Sequence, residues 1–388
     1  MRKRPALLWP QVNAGASYTR KGDSDNTGNP MAGKYPNQWG AGLSASWELD
    51  IFGGARRAIE GITAQYESQI ERERAVRMVL AAEVAGQYTL LRGLGNRLSI
   101  VRDNIAAQED SLKLAESRFK AGLTTEVPVT QANAQLASLL ARTAPLEQAA
   151  SQTAHRLAVL VGRVPQSFAP VTASSAVKGA AAPEPSSRIP AGLPSELLRR
   201  RPDVRAAERA LAAATADIGL ATAQLFPRFS LTGSFGQNST KFKTLPDAAS
   251  NAWSIMPAVS VPIFDRSRLK AQVRAADARA EQALARYERA VLASLEDSEN
   301  ALVACDRGRA QFRALADAVS ANDRNVALAR ELFEKGLGDF TAVLVAQRDL
   351  FEVRERLEES RAQQTMNVIG LYKALGGGWD APAASEKK

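Results

Sequence analysis

Residue types that commonly carry chemistry are scarce in this chain of 388 residues, which has one histidine, His155, and one cysteine, Cys305. A structural zinc site needs four Cys/His-type ligands, and a single cysteine can form neither an internal disulfide nor a CxxC redox pair. Serine–histidine catalysis would need an acidic partner and an oxyanion hole, and the residues around His155 suggest neither. We therefore expect no enzyme, cofactor or metal site, and interpret His155 as an ordinary helix residue and Cys305 as a small packing residue.

Three other polar patterns have structural explanations. Gly376-Gly377-Gly378 follows a helical pattern without a strand–helix unit after it, which predicts a helix end rather than a phosphate loop. Arg199-Arg200-Arg201 precedes Pro202-Asp203, a sequence typical of a helix start. Glu358-Glu359 is predicted to lie on a helix surface. No catalytic constellation remains.

Composition alone is typical of a soluble, basic, helix-rich protein. The net charge is +9, charged residues make up 23% of the chain, and no run of 18 apolar residues occurs. The basic residues are interleaved with 41 acidic ones, which favours solvated helix faces over a nucleic-acid stripe. A soluble coiled-coil scaffold or basic nucleic-acid-binding helical protein is the alternative, and salt-sensitive DNA binding would distinguish it. Average hydropathy, however, detects membrane helices only.

Two proline-free blocks, 55–117 and 267–335, predict helices of about 95 and about 100 Å. Shorter return helices are predicted at 126–162 and 340–376. Helices this long favour a coiled coil or a helical tube.

The chain is predicted to be an internal duplication. The turns RFKAGLTTEV at 118–127 and LFEKGLGDFT at 332–341 align without a gap, and LAVLVG and LYKALG align further on at the same spacing. Pro10 and Phe52 correspond to Pro227 and Phe264 at nearly that spacing, and the small differences fit insertions or deletions in loops. We expect a first repeat at 1–162, an extended linker at 163–192, a second repeat at 193–379 and a disordered tail at 380–388.

Four segments of about ten residues alternate apolar and polar side chains, which is typical of membrane-crossing barrel strands. They lie at about 10–19, 39–49, 228–236 and 253–263, and loops 20–38 and 237–252 would connect them as hairpins. Their polar faces carry Gly, Ser, Thr, Asn and Gln with almost no Lys or Glu. Trp39, Trp47 and Trp253 lie at segment ends, as in an interfacial aromatic girdle.

Four strands cannot close a membrane barrel, and an open sheet edge in lipid leaves unpaired backbone groups. Two copies would give eight strands with a filled interior, and three would give twelve with room for a channel. Phe52-Gly53-Gly54 and Phe264-Asp265-Arg266 connect strands directly to the long helices. The pattern therefore predicts a barrel continued by a helical tube.

The chain resembles the outer membrane factor family, the TolC/OprM-like exit ducts of tripartite efflux pumps. The most specific stretch is 190–236, which is similar to the lipoprotein branch serving RND-type transporters; VPIFDRSRLKA at 261–271, both helical turns and FEKGLGDF with LVAQRDLF also match. The resemblance covers essentially the whole chain.

The resemblance implies an α+β membrane protein that forms a homotrimer in the outer membrane. Its twelve-stranded β-barrel would continue into a long periplasmic α-barrel, the family's passive conduit for drugs or other small molecules. The implied partners are a periplasmic adaptor (membrane fusion) protein, an inner-membrane RND transporter and outer membrane lipid, with no nucleic acid.

The two helical turns would then be the periplasmic tips, which form the aperture and dock the adaptor. The candidate residues are Gly122, Glu126, Gly336, Asp339, Phe340, Thr341 and Val345. Val345 and Pro128 stand where relatives often carry an aspartate, although Glu126 remains beside the first turn. Two alternatives follow: Asp339 supplies an acidic ring of its own, or Val345 makes the constriction apolar.

The duplication also predicts an N-terminal truncation. A helix pair at about 193–225 precedes the second strand pair, whereas nothing equivalent precedes the first, so roughly 30 residues are expected to be missing. The resemblance would add a signal peptide and a lipid-bearing cysteine, which Cys305, inside a long helix, cannot be.

Overall fold

The computed structural model describes residues 6–20, 37–168 and 200–377. Its strands are β1 (Gln11–Arg20), β2 (Asn37–Leu49), β3 (Arg228–Ser239) and β4 (Asn251–Ser260). Its helices are α1 (Gly54–Lys120), α2 (Val127–Ala141), α3 (Thr143–Leu160), α4 (Pro202–Ala223), α5 (Arg266–Glu334) and α6 (Phe340–Ala374). Short 3-10 helices lie at Ala6–Leu8, Pro165–Phe168, Phe242–Thr244 and Ala248–Ser250.

The two long helices agree with the proline-free blocks: α1 has 67 residues and α5 has 69. The return helix predicted at 126–162 is instead divided at Arg142. Pro145 explains the division, because it has no backbone N–H to donate to the carbonyl of Ala141, four residues earlier. Among the described helices, none has the length and apolar character that a membrane span requires.

The strands form one antiparallel sheet in the order β1-β2-β3-β4. Both predicted hairpins are present, and β2 pairs with β3, which joins the two repeats. Most of the loop at 20–38, most of the linker at 163–192, the start of the helix pair at 193–225, Arg199, Gly378 and the tail at 380–388 lie outside the described residues.

The chain divides into two compact units, and each contains parts of both repeats. The first, residues 1–71 and 206–290, holds the sheet with the adjoining ends of α1 and α5 and nearly all of α4. Helices α1 and α4 are in close contact there, since the Ser68 hydroxyl donates to the carbonyl of Ala206 at 2.8 Å. A Cβ on Gly219 would lie 2.9 Å from Cδ of Arg57.

The second unit, residues 72–205 and 291–388, is held by small apolar clusters between helices. Leu91 and Leu94 of α1 pack on Ala154 and Leu157 of α3. Further along, Val101, Leu139 and Phe351 join α1, α2 and α6, and Ala115, Ala132 and Phe340 join the same helices near their turns. The core of this unit is thus a series of small separate clusters in which leucine, valine and phenylalanine pack with alanine.

Candidate functional site

The sheet separates apolar and polar side chains onto opposite faces. The register sets Val12 against Ala45, Ala14 against Leu43 and Tyr18 against Trp39. The same face continues across β3 and β4, where Phe235 pairs with Trp253 and Phe229 with Val259. Because side chains in a strand alternate between faces, this register produces one continuous apolar surface.

The opposite face is polar and nearly uncharged. Its cross-strand pairs include Asn13 with Ser44 and Ser46 with Thr232, and the hydroxyls of Ser234 and Ser254 lie 2.8 Å apart. Such a face can hydrogen-bond to water without presenting fixed charge.

Two glycines on the polar face bring β2 and β3 unusually close. Gly42 and Gly236 are directly paired. A Cβ on Gly236 would lie 2.6 Å from the carbonyl oxygen of Ala41 and 2.8 Å from Cα of Gly42. Glycine in a strand interior often marks a site where another backbone approaches closely, and these distances show such an approach between β2 and β3.

The three predicted girdle tryptophans lie near opposite ends of the strands. Trp39 and Trp253 are near the hairpin loops, where Trp39 contacts Tyr18 at 4.4 Å between ring centroids and Phe242 at 5.0 Å. Trp47 is near the helical end of β2, and its indole N–H donates to the carbonyl of Leu8 at 3.1 Å. The girdle role itself stays a prediction.

Both edge strands of the sheet lack a neighbour within the described chain. Strands β1 and β4 each pair on one side only, and every residue of both is exposed. Unpaired strand edges are strong templates for pairing with another chain.

The strand-to-helix junctions are fixed by acidic residues. Asp50 accepts hydrogen bonds from the backbone N–H groups of Ala55 at 2.9 Å and Arg56 at 3.0 Å, and pairs with the Arg56 side chain. Burial opposes ionisation of Asp50, but these hydrogen bonds and the Arg56 charge outweigh it and leave its pKa lowered. Asp265 pairs with Arg268 at the start of α5, and that contact lowers the Asp265 pKa.

The two helical turns have the same backbone design. Gly122 and Gly336 have φ of 70° and 72°, and the next residues, Leu123 and Leu337, donate back to the carbonyls of Arg118 and Leu332. This is a Schellman-type helix end, which requires the left-handed conformation that glycine adopts readily. The two leucines are 74% and 76% exposed, so each turn presents an apolar side chain to solvent.

The two turns are packed against each other. The Arg118 guanidinium of the first turn lies 4.2 Å from the Phe333 ring centroid of the second, and within the second turn the rings of Phe333 and Phe340 lie 5.2 Å apart. Arg118 also donates to the carbonyl of Phe333 at 3.4 Å. Phe340, expected among the aperture residues, is 3% exposed, so it joins the turns from within and cannot line an opening.

The remaining tip candidates are exposed. Asp339 is the N-cap of α6, where its carboxylate accepts from the backbone N–H of Thr341 at 3.4 Å. Glu126, which precedes α2, makes no such side-chain cap. Thr341 and Val345 line both a groove of about 540 Å³ between α5 and α6 and one of about 290 Å³ between α2 and α6. Whether these residues form a gate stays a prediction.

Arg201 has a larger structural role than its motif suggested. Its guanidinium donates to Asp203 at 2.7 Å, to Asp297 at 3.0 Å and to the carbonyl of Ala374 at 3.2 Å, which ties the start of α4 to α5 and the end of α6. Burial disfavours both charges, but the contact with Arg201 lowers the Asp203 pKa and the Asp203 contact raises that of Arg201. Pro202 beside an arginine run was the only sequence signal.

The scarce reactive residues have ordinary positions. His155 is exposed on α3. Cys305 is buried in α5, and burial raises the pKa of its thiol, which makes the reactive thiolate less available. Helix α6 ends at Ala374 and Gly376 has φ of 70°, which confirms the predicted helix end.

Comparisons with known proteins agree with this geometry. The family model described as "Outer membrane efflux protein" matches residues 4–163 and 193–377. The chain is 31% identical to the solvent efflux pump outer membrane protein SrpC of Pseudomonas putida, over 96% of this chain and 78% of that protein. It is 32% identical to outer membrane protein OprJ of Pseudomonas aeruginosa, over 96% of this chain and 77% of that protein.

Solved structures show the same fold. The outer-membrane channel OprN superposes with a TM-score of 0.88 at 33% identity, covering 96% of this chain and 82% of that one. CusC gives 0.83 at 28% identity, covering 96% and 85%. These matches favour an outer membrane efflux protein over the soluble scaffold or the nucleic-acid binder. They indicate transport rather than enzymatic activity. With the four-stranded sheet and the long paired helices, they show that the chain belongs to the outer membrane efflux protein family.

Proposed function

We propose that three copies of the chain assemble into one outer membrane channel, the exit duct of a tripartite RND-type efflux pump. The observation that carries the proposal is the open sheet, whose two edge strands are exposed along their whole length. In lipid, each unpaired backbone group costs several kcal/mol, so the edges must be covered by other copies. Three copies supply twelve strands, enough for a water-filled interior.

In this assembly the two faces of the sheet lie in different environments. The apolar face, with Leu43, Phe235 and Ile255, contacts lipid, and the polar face, with Ser44, Ser234 and Ser254, lines the interior. An interior with hydroxyl and glycine surfaces offers no strong binding site, which suits passive passage of varied small molecules. Several relatives are named for efflux of solvents, toluene or antibiotics, and that range supports small-molecule export here.

The test is oligomer mass in detergent together with single-channel conductance in planar bilayers. A trimer that opens stable, water-filled channels supports the proposal. A monomer without conductance, extracted from membranes by salt alone, would overturn it.

The exposed leucines of the two turns are proposed as the adaptor-docking surface. Leu123 and Leu337 project from equivalent turns, and an exposed apolar side chain on a rigid turn is a typical anchor for a protein partner. Since the turns are duplicated, each copy offers two similar anchors.

Docking is tested separately from channel formation. Leu337→Asp removes one of the two anchors. In cells that also produce a periplasmic adaptor and an RND transporter, it is expected to decrease dye efflux while bilayer conductance stays normal. Leu337→Met, which keeps an apolar side chain of similar size, should retain efflux. Equal efflux by the Asp and Met variants would exclude Leu337 from docking.

A further inference from the structure

One exposed aromatic side chain stands out at the end of the β4 edge. Phe264, between β4 and α5, is 97% exposed, more than any other large apolar residue in the described chain. Trp9, just before the opposite edge strand β1, is 66% exposed. Both residues adjoin edges that the proposed trimer would bring together.

The seam between β2 and β3 shows what such a junction looks like when it is complete. There Phe52, which follows β2, stacks on Phe226, which precedes β3, with ring centroids 4.7 Å apart and planes at 16°. Phe52 also lies 6.5 Å from Phe229, the second residue of β3.

The duplication places Phe264 and Trp9 at the equivalent positions. Phe264 corresponds to Phe52, and Leu8-Trp9-Pro10 corresponds to Leu225-Phe226-Pro227. Strand β4 therefore corresponds to β2, and β1 corresponds to β3. The contact that would match Phe52 on Phe226 is Phe264 on Trp9, and within one copy these residues belong to opposite edges of the sheet.

We propose that β4 of one copy pairs with β1 of the next in the register copied from the β2–β3 seam, with Phe264 stacked on Trp9 of the partner subunit. This inference rests on the proposed trimer. In this register Val261 pairs with Val12 of the partner subunit, as Leu49 pairs with Phe229 within one copy. In the same way, Ser254 pairs with Thr19 of the partner subunit, as Gly42 pairs with Gly236.

The copied register also keeps apolar side chains on one face of the sheet. Apolar residues have odd numbers in β4 and even numbers in β1, so a register shifted by one residue would put polar side chains beside apolar ones. The copied register sets Ile255 beside Tyr18 of the partner subunit and Val259 beside Ala14 of the partner subunit. The apolar face therefore continues across the seam.

The barrel geometry is also consistent. Following paired residues across the four strands leads from Ala16 to Ala41, Gln237 and Asn251. In the copied register, the residue of the next copy that pairs with Asn251 lies six positions after Ala16 in the sequence, so each copy contributes a stagger of six residues. Three copies give a stagger of about 18 residues around twelve strands. With about 3.3 Å per residue and about 4.8 Å between strands, the tilt is about 45°, the value of membrane barrel strands.

Cysteine cross-linking tests the register directly. In a Cys305→Ala background, Thr19→Cys is combined with Ser254→Cys for the copied register, or with Ala252→Cys or Met256→Cys for registers shifted by two residues. All four positions lie on the polar face. A two-residue shift moves Cα atoms about 8 Å apart, beyond the reach of a disulfide.

Oxidation of the chain in outer membranes, followed by SDS electrophoresis without reductant, is expected to give cross-linked oligomers with Ser254→Cys only. The Ser234→Cys/Ser254→Cys pair, whose hydroxyls lie 2.8 Å apart in one copy, is the control for oxidation without change of mass. Cross-linking through Ala252→Cys or Met256→Cys instead would refute the register and leave the trimer standing. No oligomer from any pair, with the control oxidised, would refute the trimer too.

A second measurement addresses the aromatic contact. Phe264→Ala is expected to decrease the fraction of SDS-resistant oligomer, and Phe264→Trp should preserve it by keeping a stacking ring. An unchanged oligomer fraction in Phe264→Ala would remove this contact from the seam.

Discussion

The close approach of β2 and β3 gives the sharpest single-residue prediction, Gly236→Ala. The added methyl group would meet the Ala41 carbonyl oxygen at 2.6 Å and Cα of Gly42 at 2.8 Å. Both obstacles are backbone atoms, so neither can turn away as a side chain would. The strands must separate at this point, which strains the eleven-pair ladder between them.

The magnitude follows from overpacking. Extra methylenes in well-packed sites typically cost 1–3 kcal/mol, and a clash limited by backbone belongs at the upper end, about 3 kcal/mol per copy. A domain is stable by only about 5–15 kcal/mol, so a loss of about 3 kcal/mol is a large part of the stability of each copy. Gly236→Ala should therefore clearly lower the fraction of chain that assembles.

Gly15→Ala is the matched control, because Gly15 lies in the same row of the sheet and on the same face. A Cβ at Gly15 has nothing within 4 Å. Gly15 in β1 corresponds by the duplication to Thr232 in β3, and Thr232 carries a side chain opposite Ser46. A side chain at position 15 is therefore also expected to fit the proposed seam between copies. The assay is the fraction of SDS-resistant oligomer in purified outer membranes. If Gly236→Ala assembles as well as Gly15→Ala, the close backbone approach does not constrain this sheet.

Four further outcomes are expected. Asp339→Ala should lower cation selectivity, measured as reversal potential in a salt gradient. Asp339→Asn, which still caps the helix, should lower the selectivity equally. Unchanged selectivity in both variants would remove Asp339 from the gate. Arg201→Met should reduce the free energy of unfolding by about 2 kcal/mol in denaturant titration, because the hydrogen bonds between three helices are lost while Asp203 and Asp297 can still be hydrated. No measurable loss would contradict the buried clamp. The lowered pKa of Asp203 means that its contribution is complete above about pH 4 and is lost as pH falls through the folded-state pKa, so Asp203→Asn should flatten this acid loss. Arg118→Gln should speed amide hydrogen exchange in both turns, whereas Lys120→Gln, at the exposed end of the same helix, should not.

Periodicity was sufficient to predict the strands, hairpins and long helices. The alternation in β2 is visible in the sequence because one face of the sheet must be apolar. The length of α5 is predictable because its sequence contains no proline that would end the helix. Within the described helices, the break at Arg142 was not predicted, although Pro145 gives it a visible cause.

Contacts between distant segments could not be predicted. The burial of Phe340 depends on Phe333 and Ala115 of other helices, and nothing in the local pattern distinguishes it from the exposed Thr341. The role of Arg201 depends on Asp297, far away in the sequence. The pairing of Gly42 with Gly236 required a register that only the folded sheet specifies.

The two repeats differ in a way that explains how the sheet tolerated divergence. If the correspondences of Pro10 with Pro227 and of Phe52 with Phe264 extended through the strands without a gap, Gln11 and Ser46 would correspond to Arg228 and Ala258. Gln11 pairs with Ser46, but Arg228 pairs with Ser260. The second hairpin has therefore slipped by two residues relative to the first. A slip of two keeps every side chain on its own face, but a slip of one would turn the apolar face of a strand toward the polar interior. Even-numbered slips are thus the changes that a duplicated membrane sheet can accept, and the proposed seam between copies obeys the same constraint.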